Sequence, residues 1–388
     1  MTRRPDKVGV LISCLLFYAI LFSPFMTFRA NRIVAGETKT ILESLPTWVA
    51  ATFLIFTLFA GVIAFFRSPI VLRLAASLIG LVAVAIVAGL AATTLTPDNN
   101  SYARVSPASG FWLLLTAFLL LATDAVARLQ PKPLLRVVML GGALAVLASV
   151  LASGLWDDLS ILKEYANRAD IFWSEAIRHV ELALGSLFAA TLIGIPIGIL
   201  CAKVDRLRPA VLNGLNIVQT IPSIALFGIL IAPLGWVAAN VAGASAIGIR
   251  GIGMAPAFVA LFLYSLLPVV SNTVVGLAGV SQAVQEAARG LGMTTLQRLF
   301  RIEFPLALPV IVTGIRIVLV QNIGLATVAA LIGGGGFGVF VFQGIGQTAM
   351  DLVLLGTIPT VLLGLTTAIV LDALIDSNLF SASRKREA

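Results

Sequence analysis

Long apolar stretches recur along this chain and are separated by short polar segments. About ten of them reach the roughly 20 residues that a helix needs to cross a hydrocarbon layer about 30 Å thick. Inside a bilayer no water satisfies an unpaired backbone amide or carbonyl, so such stretches must be helical. The predicted spans are 8–28, 46–66, 70–94, 110–128, 135–155, 180–201, 210–233, 254–276, 306–332 and 352–375. The pattern predicts an all-α polytopic membrane protein.

The composition excludes a soluble domain. Hydrophobic residues account for 59% of the 388 residues and charged residues for 11%, against about 45–50% and about 25% in soluble domains. The net charge is +8, but the basic residues are divided among short loops instead of lying on one face. This distribution argues against a nucleic-acid partner.

The placement of Lys and Arg also predicts the orientation of the spans. If residue 1 lies inside, the segments on the inner side carry most of the basic residues. The positive-inside rule then puts both termini in the cytoplasm. The first apolar run is long, and no small-x-small cleavage pattern follows Phe28. We therefore interpret it as an uncleaved anchor and not as a signal peptide.

One polar stretch divides the chain into two sets of five spans. It is the longest external segment and covers residues 157–178. We predict an N-terminal five-span membrane extension at 1–156, an external linker at 157–178, a five-span core at 179–381 and a basic cytoplasmic tail at 382–388. The core has prolines and amide side chains within its spans, where polar groups are usually functional or interhelical.

The segment between the eighth and ninth spans, residues 281–305, is too polar to cross the membrane and too long for a tight turn. Its apolar residues follow helical spacing on both sides of Gly290 and Gly292, which predicts a hairpin of two short amphipathic helices. Thr294 and Gln297 fit a capping box for the second helix, and Pro305 is expected to end it. The apolar positions are Val284, Ala288 and Leu291, then Leu296, Leu299 and Phe300. From this pattern alone, a connector lying on the membrane surface is an equal alternative.

The hairpin contains a set of residues at fixed spacing. Glu286-Ala287-Ala288 is followed after three residues by Gly292 and, after nine more, by Ile302-x-Phe304-Pro305. This set resembles the EAA signature of ABC importer permeases. The resemblance implies that the hairpin is a coupling helix that docks on a separate cytoplasmic ATPase. It implies contact roles for Glu286, Ala287, Ala288, Arg289, Gly292, Ile302 and Pro305.

Four further stretches, 219–226, 264–273, 314–316 and 324–338, are similar to the osmoprotectant permeases that carry glycine betaine, choline or carnitine. The five leading spans resemble the long, YehY-type form of that family. The resemblance implies a type I importer core in the bacterial cytoplasmic (inner) membrane, with no cofactor of its own and with ATP and Mg on the partner ATPase. It also implies an external or periplasmic solute-binding protein and a second permease copy or shorter paralogue.

Polar residues near two prolines are candidates for the translocation path. Pro222 and Pro268 each remove a helical hydrogen bond within a span, which bends the helix and frees carbonyl groups. The candidates are Gln219, Thr220, Pro222, Ser223, Pro268, Ser271, Asn272, Gln321 and Asn322. Each one alone is also compatible with an ordinary interhelical hydrogen bond.

Enzymatic chemistry is not indicated. His179 is the sole histidine and Cys14 and Cys201 lie in apolar runs, so no histidine-based metal site is expected. The sequence has no P-loop, so ATP must be hydrolysed by another subunit. The glycines at 333, 335 and 338 match GxGxxG, but outside the strand-turn-helix context of a dinucleotide site, and we interpret this run as an external gate or a simple turn.

Three alternatives to an osmoprotectant permease remain open from the sequence. One is a permease for a different small solute, of the amino-acid type, and another is a membrane sensor or scaffold that does not transport. The third is an ion-gradient transporter, which needs an intramembrane carboxylate, and Asp372 is the one deep candidate. Arg316 also lies within a span, where it either extends to the surface or pairs with another helix.

Overall fold

The computed structural model describes residues 5–98, 100 and 102–376, and the predicted basic tail at 382–388 lies outside these residues. The chain forms two compact units, Met1–Asn167 and Arg168–Ala388. The boundary falls inside the predicted external linker. Much of that linker is helical, because it contains a short helix and the beginning of a long one.

The first unit is built mainly from helices of the predicted apolar runs. They are α1 Lys7–Phe22, α2 Ile41–Ser44, α3 Thr47–Phe65, α4 Ile70–Leu95, α5 Ser109–Leu129, α6 Pro133–Ala152 and α7 Ser160–Ala166. α1, α3, α4 and α5 pack around a core of aromatic, aliphatic and small residues that includes Phe25, Phe118 and Ala88. α6 has no buried residue.

A small antiparallel sheet that the sequence did not predict lies at one end of this unit. Its strands are β1 Met26–Arg29, β2 Glu37–Lys39 and β3 Arg104–Pro107, in the order β2-β1-β3. The first span was predicted to continue to residue 28, but α1 ends at Phe22. Ser23 precedes Pro24, and the residue before a proline disfavours helical angles, so the chain becomes extended there.

A cluster of four charged side chains lies at the beginning of α1. Arg73 of α4 is fully buried and contacts Asp6 at 3.1 Å and Asp124 at 2.6 Å. Arg128 pairs with the same two carboxylates, at 2.7 Å from Asp6 and 2.9 Å from Asp124. Two arginines and two aspartates thus neutralise one another, which offsets the cost of burying Arg73.

The second unit has nine α-helices within its described residues. They are α8 Ala169–Lys203, α9 Leu207–Thr220, α10 Ser223–Asn240, α11 Met254–Ala278, α12 Gln282–Gly290, α13 Thr295–Arg298, α14 Phe304–Val328, α15 Gly338–Gly346 and α16 Met350–Asp376. A π-helical turn, Leu299–Glu303, joins α13 to α14, and a 3-10 turn, Ala329–Ile332, follows α14.

In the described part of the chain, nine helices are long and apolar enough to cross a membrane, and α1 with 16 residues is a shorter apolar helix. The span predicted at 210–233 is divided into α9 and α10 at Ile221 and Pro222. Proline cannot donate a backbone hydrogen bond and keeps the preceding residue extended. Ile221 accordingly has φ −74° and ψ 125°.

Close packing of α8 against α11 depends on small residues. A methyl group on Gly194 would lie 2.9 Å from a Val269 side-chain carbon, and one on Gly198 would lie 2.5 Å from Cβ of Thr273. Glycines that allow such an approach are typical of helix pairs in membranes. Gly194 and Gly198 therefore serve helix packing.

Candidate translocation cleft and hairpin

An open cleft with a volume of about 350 Å³ lies at the break between α9 and α10. It is lined by Gln219, Thr220, Ile221, Pro222, Ser223, Tyr264, Gln321 and Leu325. The lining combines amides, hydroxyl groups and apolar groups and contains no charged side chain. Five of the predicted path candidates are brought together here, namely Gln219, Thr220, Pro222, Ser223 and Gln321.

Tyr264 of α11 holds the chain at this break by two hydrogen bonds. Its hydroxyl group donates to the carbonyl oxygen of Ile221, and its own carbonyl oxygen accepts a bond of 2.9 Å from Nε2 of Gln219. Tyr264 was not among the predicted path residues. A tyrosine in an apolar span needs a partner for its hydroxyl group, and this requirement is the signal that points to it.

The other four path candidates lie outside the lining of the cleft. Asn322 is fully buried and donates through Nδ2 to the hydroxyl groups of Ser186 and Ser265, both at 2.9 Å. It thereby joins α14 to α8 and α11. The Pro268 carbonyl oxygen accepts from Asn272 Nδ2 at 2.8 Å and from the Ser271 hydroxyl group at 3.3 Å. A role of these residues in transport remains a prediction.

The hairpin at 281–305 forms as two short helices, α12 and α13, separated by Gly292 with φ +73°. Thr294 and Gln297 make the predicted capping box, in which Gln297 N donates to Thr294 Oγ1 at 3.3 Å and Thr294 N to Gln297 Oε1 at 3.0 Å. The expectation that Pro305 ends the second helix is wrong. Pro305 lies in the first turn of α14, where its missing N–H group costs little.

Large apolar side chains of the hairpin are exposed within this chain. The exposed fractions are 78% for Leu291, 67% for Leu296 and 61% for Phe300, whereas Ala288 and Leu299 are buried. Of the residues with predicted ATPase contacts, Glu286, Ala287, Arg289, Gly292 and Pro305 are exposed, Ile302 is half-buried and Ala288 is buried. Oε1 of Glu286 accepts a bond of 2.9 Å from Nε2 of Gln282. The exposed face combines apolar groups with a carboxylate.

Glu303, at the base of the hairpin, is a charged residue that the sequence analysis did not select. Its side chain is 2% exposed and pairs with Lys203, the last residue of α8. It also accepts a bond of 2.7 Å from Nε of Arg298. It lies between Ile302 and Phe304 of the EAA-like signature.

Two side chains of α8 hold the glycine-rich loop at 333–338. The Gly336 N–H group donates to Oε2 of Glu175 at 2.6 Å, and the Phe337 N–H group to Nδ1 of His179 at 3.3 Å. Gly333, Gly335 and Gly336 have positive φ, which glycine tolerates best. A 3-10 turn precedes the loop and α15 follows it, so this is not the strand-turn-helix arrangement of a dinucleotide site.

Arg316 of α14 and Asp372 of α16 form an ion pair. Arg316 therefore pairs between helices, which was one of its two predicted roles. Asp372 has a cationic partner on a neighbouring helix. Within the described residues, no group of three His, Cys, Asp or Glu side chains is placed to hold a metal ion.

Two protein-family models match the chain. Residues 6–162 match the family described as ABC transporter permease YehY, N-terminal domain. Residues 194–378 match the family described as binding-protein-dependent transport system inner membrane component. In a structure of the MetNI methionine ABC transporter in inward-facing conformations, one chain has 21% identity and a TM-score of 0.47, over 54% of this chain and 96% of that chain.

Several curated relatives match between about half and 60% of this chain. The osmoprotectant import permease protein OsmW of Salmonella typhimurium is 43% identical over 202 residues, which are 52% of this chain and 87% of the relative. OsmY of the same organism, also an osmoprotectant import permease protein, is 38% identical over 60% of this chain and 91% of the relative. The choline transport system permease protein OpuBB of Bacillus subtilis is 33% identical over 54% of this chain and 88% of the relative. The chain therefore belongs to the osmoprotectant permease family of ABC importers, in the long form with a YehY-type N-terminal domain, and the predicted all-α permease fold is confirmed.

Proposed function

We propose that this chain transports glycine betaine or a related quaternary-ammonium osmoprotectant, together with a separate ATPase, a second permease copy or shorter paralogue, and an external or periplasmic solute-binding protein. The relatives with this degree of identity are named for osmoprotectant and choline import. In this proposal the hairpin and both termini face the cytoplasm, in agreement with the positive-inside rule.

The observation that carries the proposal is the exposed face of the hairpin. Leu291, Leu296 and Phe300 belong to the hairpin between the predicted spans 254–276 and 306–332 and remain largely uncovered by this chain. Exposed apolar groups in a segment that also has an exposed carboxylate, Glu286, are typical of a protein interface, which has an apolar centre and a polar rim. An ATPase surface that covers these side chains would give the hairpin its partner.

Transport then follows from two arrangements of the helices. ATP binding and hydrolysis by the partner change the position of the hairpin, and this shifts the population between outward- and inward-open forms. The break at Pro222 lets α9 and α10 change their relative angle, because no helical hydrogen bond crosses it. The uncharged lining of the cleft offers weak polar contacts, so we assign most of the solute selectivity to the binding protein.

The test is transport by the reconstituted assembly. The permease, its ATPase and its binding protein are placed in proteoliposomes, and ATP-dependent uptake is measured for glycine betaine, choline, carnitine and several amino acids. Uptake of a quaternary-ammonium solute against its gradient supports the proposal. Uptake of an amino acid alone, or no uptake although the assembly hydrolyses ATP, contradicts it.

Variants of Glu286 test the role of the hairpin. Glu286→Lys reverses the charge on the exposed face and should abolish uptake while membrane insertion stays normal. Glu286→Gln keeps the hydrogen bond with Gln282 and should have a smaller effect, because it removes the charge without adding repulsion. Normal uptake by Glu286→Lys contradicts the assignment of this face to the ATPase.

A further inference from the structure

The carboxylate of Glu303 joins three elements at the base of the hairpin. Lys203 comes from the end of α8, Arg298 from the end of α13, and Glu303 itself from the π-helical turn that leads into α14. The Glu303 side chain is 2% exposed and that of Arg298 11%. A buried carboxylate bound by two cations holds its partners in fixed positions, since separating them leaves a charge unpaired.

The π-helical turn explains how Arg298 and Glu303 meet. They are five residues apart, a spacing that puts side chains on different faces of an α-helix. In a π-helix the backbone hydrogen bonds run between residues five apart, and such turns occur frequently at functional sites. The irregular turn Leu299–Glu303 therefore brings the end of α13 to the carboxylate.

Apolar groups limit the access of water to this point. Leu277, Leu299, Ala307 and Ile311 form a buried cluster, and Ile199 and Ala202 of α8 pack against it. In such surroundings an ionic hydrogen bond is stronger than at the surface and costly to leave incomplete. The ion pair and this cluster together fix the base of the hairpin to the end of α8.

α8 also contacts the glycine-rich loop near its opposite end. Glu175 and His179 hold the N–H groups of Gly336 and Phe337. With a rise of 1.5 Å per residue, Glu175 and Lys203 lie about 40 Å apart along the helix. One continuous helix therefore connects the base of the hairpin with the loop at 333–338.

We propose that Glu303 is a positioning residue that transmits movement of the hairpin to α8, through its ion pair with Lys203, and thereby to the glycine-rich loop. The proposal rests on the proposed function, because it requires an ATPase that moves the hairpin. Without the ion pair, the ATPase still binds and hydrolyses ATP, but its movement reaches α8 incompletely. Loss of Glu303 should thus lower the amount of solute moved per ATP more than it lowers ATP hydrolysis.

The experiment measures both rates in proteoliposomes that contain the whole assembly, with glycine betaine, choline or carnitine as solute, whichever the wild type transports. Glu303→Gln and Lys203→Met should each lower the ratio of solute transported to ATP hydrolysed by roughly tenfold, within the range of coupling between sites. Lys203→Arg keeps the charge and should retain most of the ratio. Arg206→Met is the matched control, because Arg206 is an exposed cation near Lys203 and makes no ion pair among the described residues.

A double-mutant cycle separates transmission from general damage. If Lys203 acts through Glu303, the variant with both Glu303→Gln and Lys203→Met loses no more than Glu303→Gln alone. Additive losses, or a wild-type ratio in Lys203→Met, overturn the proposal. If Glu303→Gln does not fold, the comparison of Lys203→Met with Lys203→Arg and Arg206→Met decides, since Lys203 is partly exposed.

The two proposals fail in different ways. If the wild-type assembly transports neither glycine betaine nor choline nor carnitine, the proposed function fails. If the wild-type assembly transports one of these solutes and all the variants keep the wild-type ratio for that solute, the proposed function stands and the role of Glu303 is refuted.

Discussion

Tyr264 donates its hydroxyl hydrogen to the carbonyl oxygen of Ile221, the residue at which α9 gives way to α10. The bond fixes the helix break to α11 in the wall of the cleft. Tyr264 is 6% exposed and packs with Leu182, Phe227 and Leu261. The ring is therefore part of the core, while the hydroxyl group is hydrogen-bonded to the break.

Removing this hydroxyl group should change transport without removing the ring. Tyr264→Phe leaves the Ile221 carbonyl without its donor, at a cost of about 1–3 kcal/mol. We expect a several-fold higher KM for solute uptake and a slightly lower unfolding temperature in detergent. Tyr18→Phe is the control, since Tyr18 is exposed and its hydroxyl group makes no hydrogen bond among the described residues. A wild-type KM for Tyr264→Phe would show that the break does not depend on this bond.

The ion pair between Arg316 and Asp372 should stabilise the packing of α14 against α16. Interhelical polar contacts in membranes contribute about 1 kcal/mol, so Arg316→Met and Asp372→Asn should each lower the midpoint of thermal unfolding in detergent. Exchanging the two residues, Arg316→Asp with Asp372→Arg, should restore much of the loss. Equal stability of all three variants and the wild type would mean that the pair contributes nothing.

The same pair bears on the source of energy. Asp372, the carboxylate that an ion-gradient transporter would require, forms an ion pair with Arg316 of a neighbouring helix, and the proposed energy source is ATP. Uptake by ATP-loaded vesicles should therefore continue when a protonophore dissipates the proton gradient, in the wild type and in Asp372→Asn alike. Uptake that stops with the gradient would favour an ion-coupled transporter.

The long apolar runs were predicted reliably, because a run of this length has few alternatives to a membrane-spanning helix. The spans expected at 46–66 and 110–128 correspond to Thr47–Phe65 and Ser109–Leu129. Local polar patterns were equally informative, since the capping box at Thr294 needs no residue outside its own turn. Both signals depend on residues that are neighbours in the sequence.

Contacts between distant residues could not be predicted in this way. Lys203 and Glu303 are 100 residues apart, and nothing in the local pattern marks either one as the partner of the other. The strands at Met26–Arg29 and Arg104–Pro107 are likewise short and pair across two membrane helices. The sequence indicates that the Tyr264 hydroxyl group needs a partner, but it does not indicate that this partner is the carbonyl group of Ile221.

Glu175 should hold the glycine-rich loop against α8. Its carboxylate accepts the Gly336 N–H group at 2.6 Å and also pairs with Arg178 at 3.2 Å. Hydrogen bonds to charged groups contribute about 1.5–3 kcal/mol, so Glu175→Gln should speed hydrogen exchange of the amides at 333–338 by roughly tenfold or more. Glu181→Gln, an exposed position on the same helix, should leave exchange unchanged. If these amides exchange equally slowly in Glu175→Gln and in the wild type, Glu175 does not hold the loop.

Asp6 connects the beginning of α1 to two other helices of the first unit. Its carboxylate accepts the N–H groups of Val8 at 3.1 Å and Gly9 at 3.3 Å and pairs with Arg73 and Arg128. Burial by itself raises the pKa of Asp6, but the hydrogen bond from Arg128, the Gly9 N–H group and the charge of Arg73 outweigh it, and the net pKa is lower than usual.

This lowered pKa predicts a loss of stability in acid. The carboxylate contributes fully above the ordinary aspartate pKa of about 3.9, and its contribution disappears as the pH falls through the lower value of the folded state. Asp6→Asn removes the charge at every pH and leaves Arg73 short of a partner, so it should destabilise the protein at pH 7 by about 3 kcal/mol. The variant should also lose less stability than the wild type between pH 5 and pH 3, because the titrating group is gone.

Thermal unfolding in detergent across this pH range measures both effects, with the exposed Asp98→Asn as control. Parallel pH profiles for Asp6→Asn and the wild type would show that Asp6 is not the group whose protonation weakens this cluster.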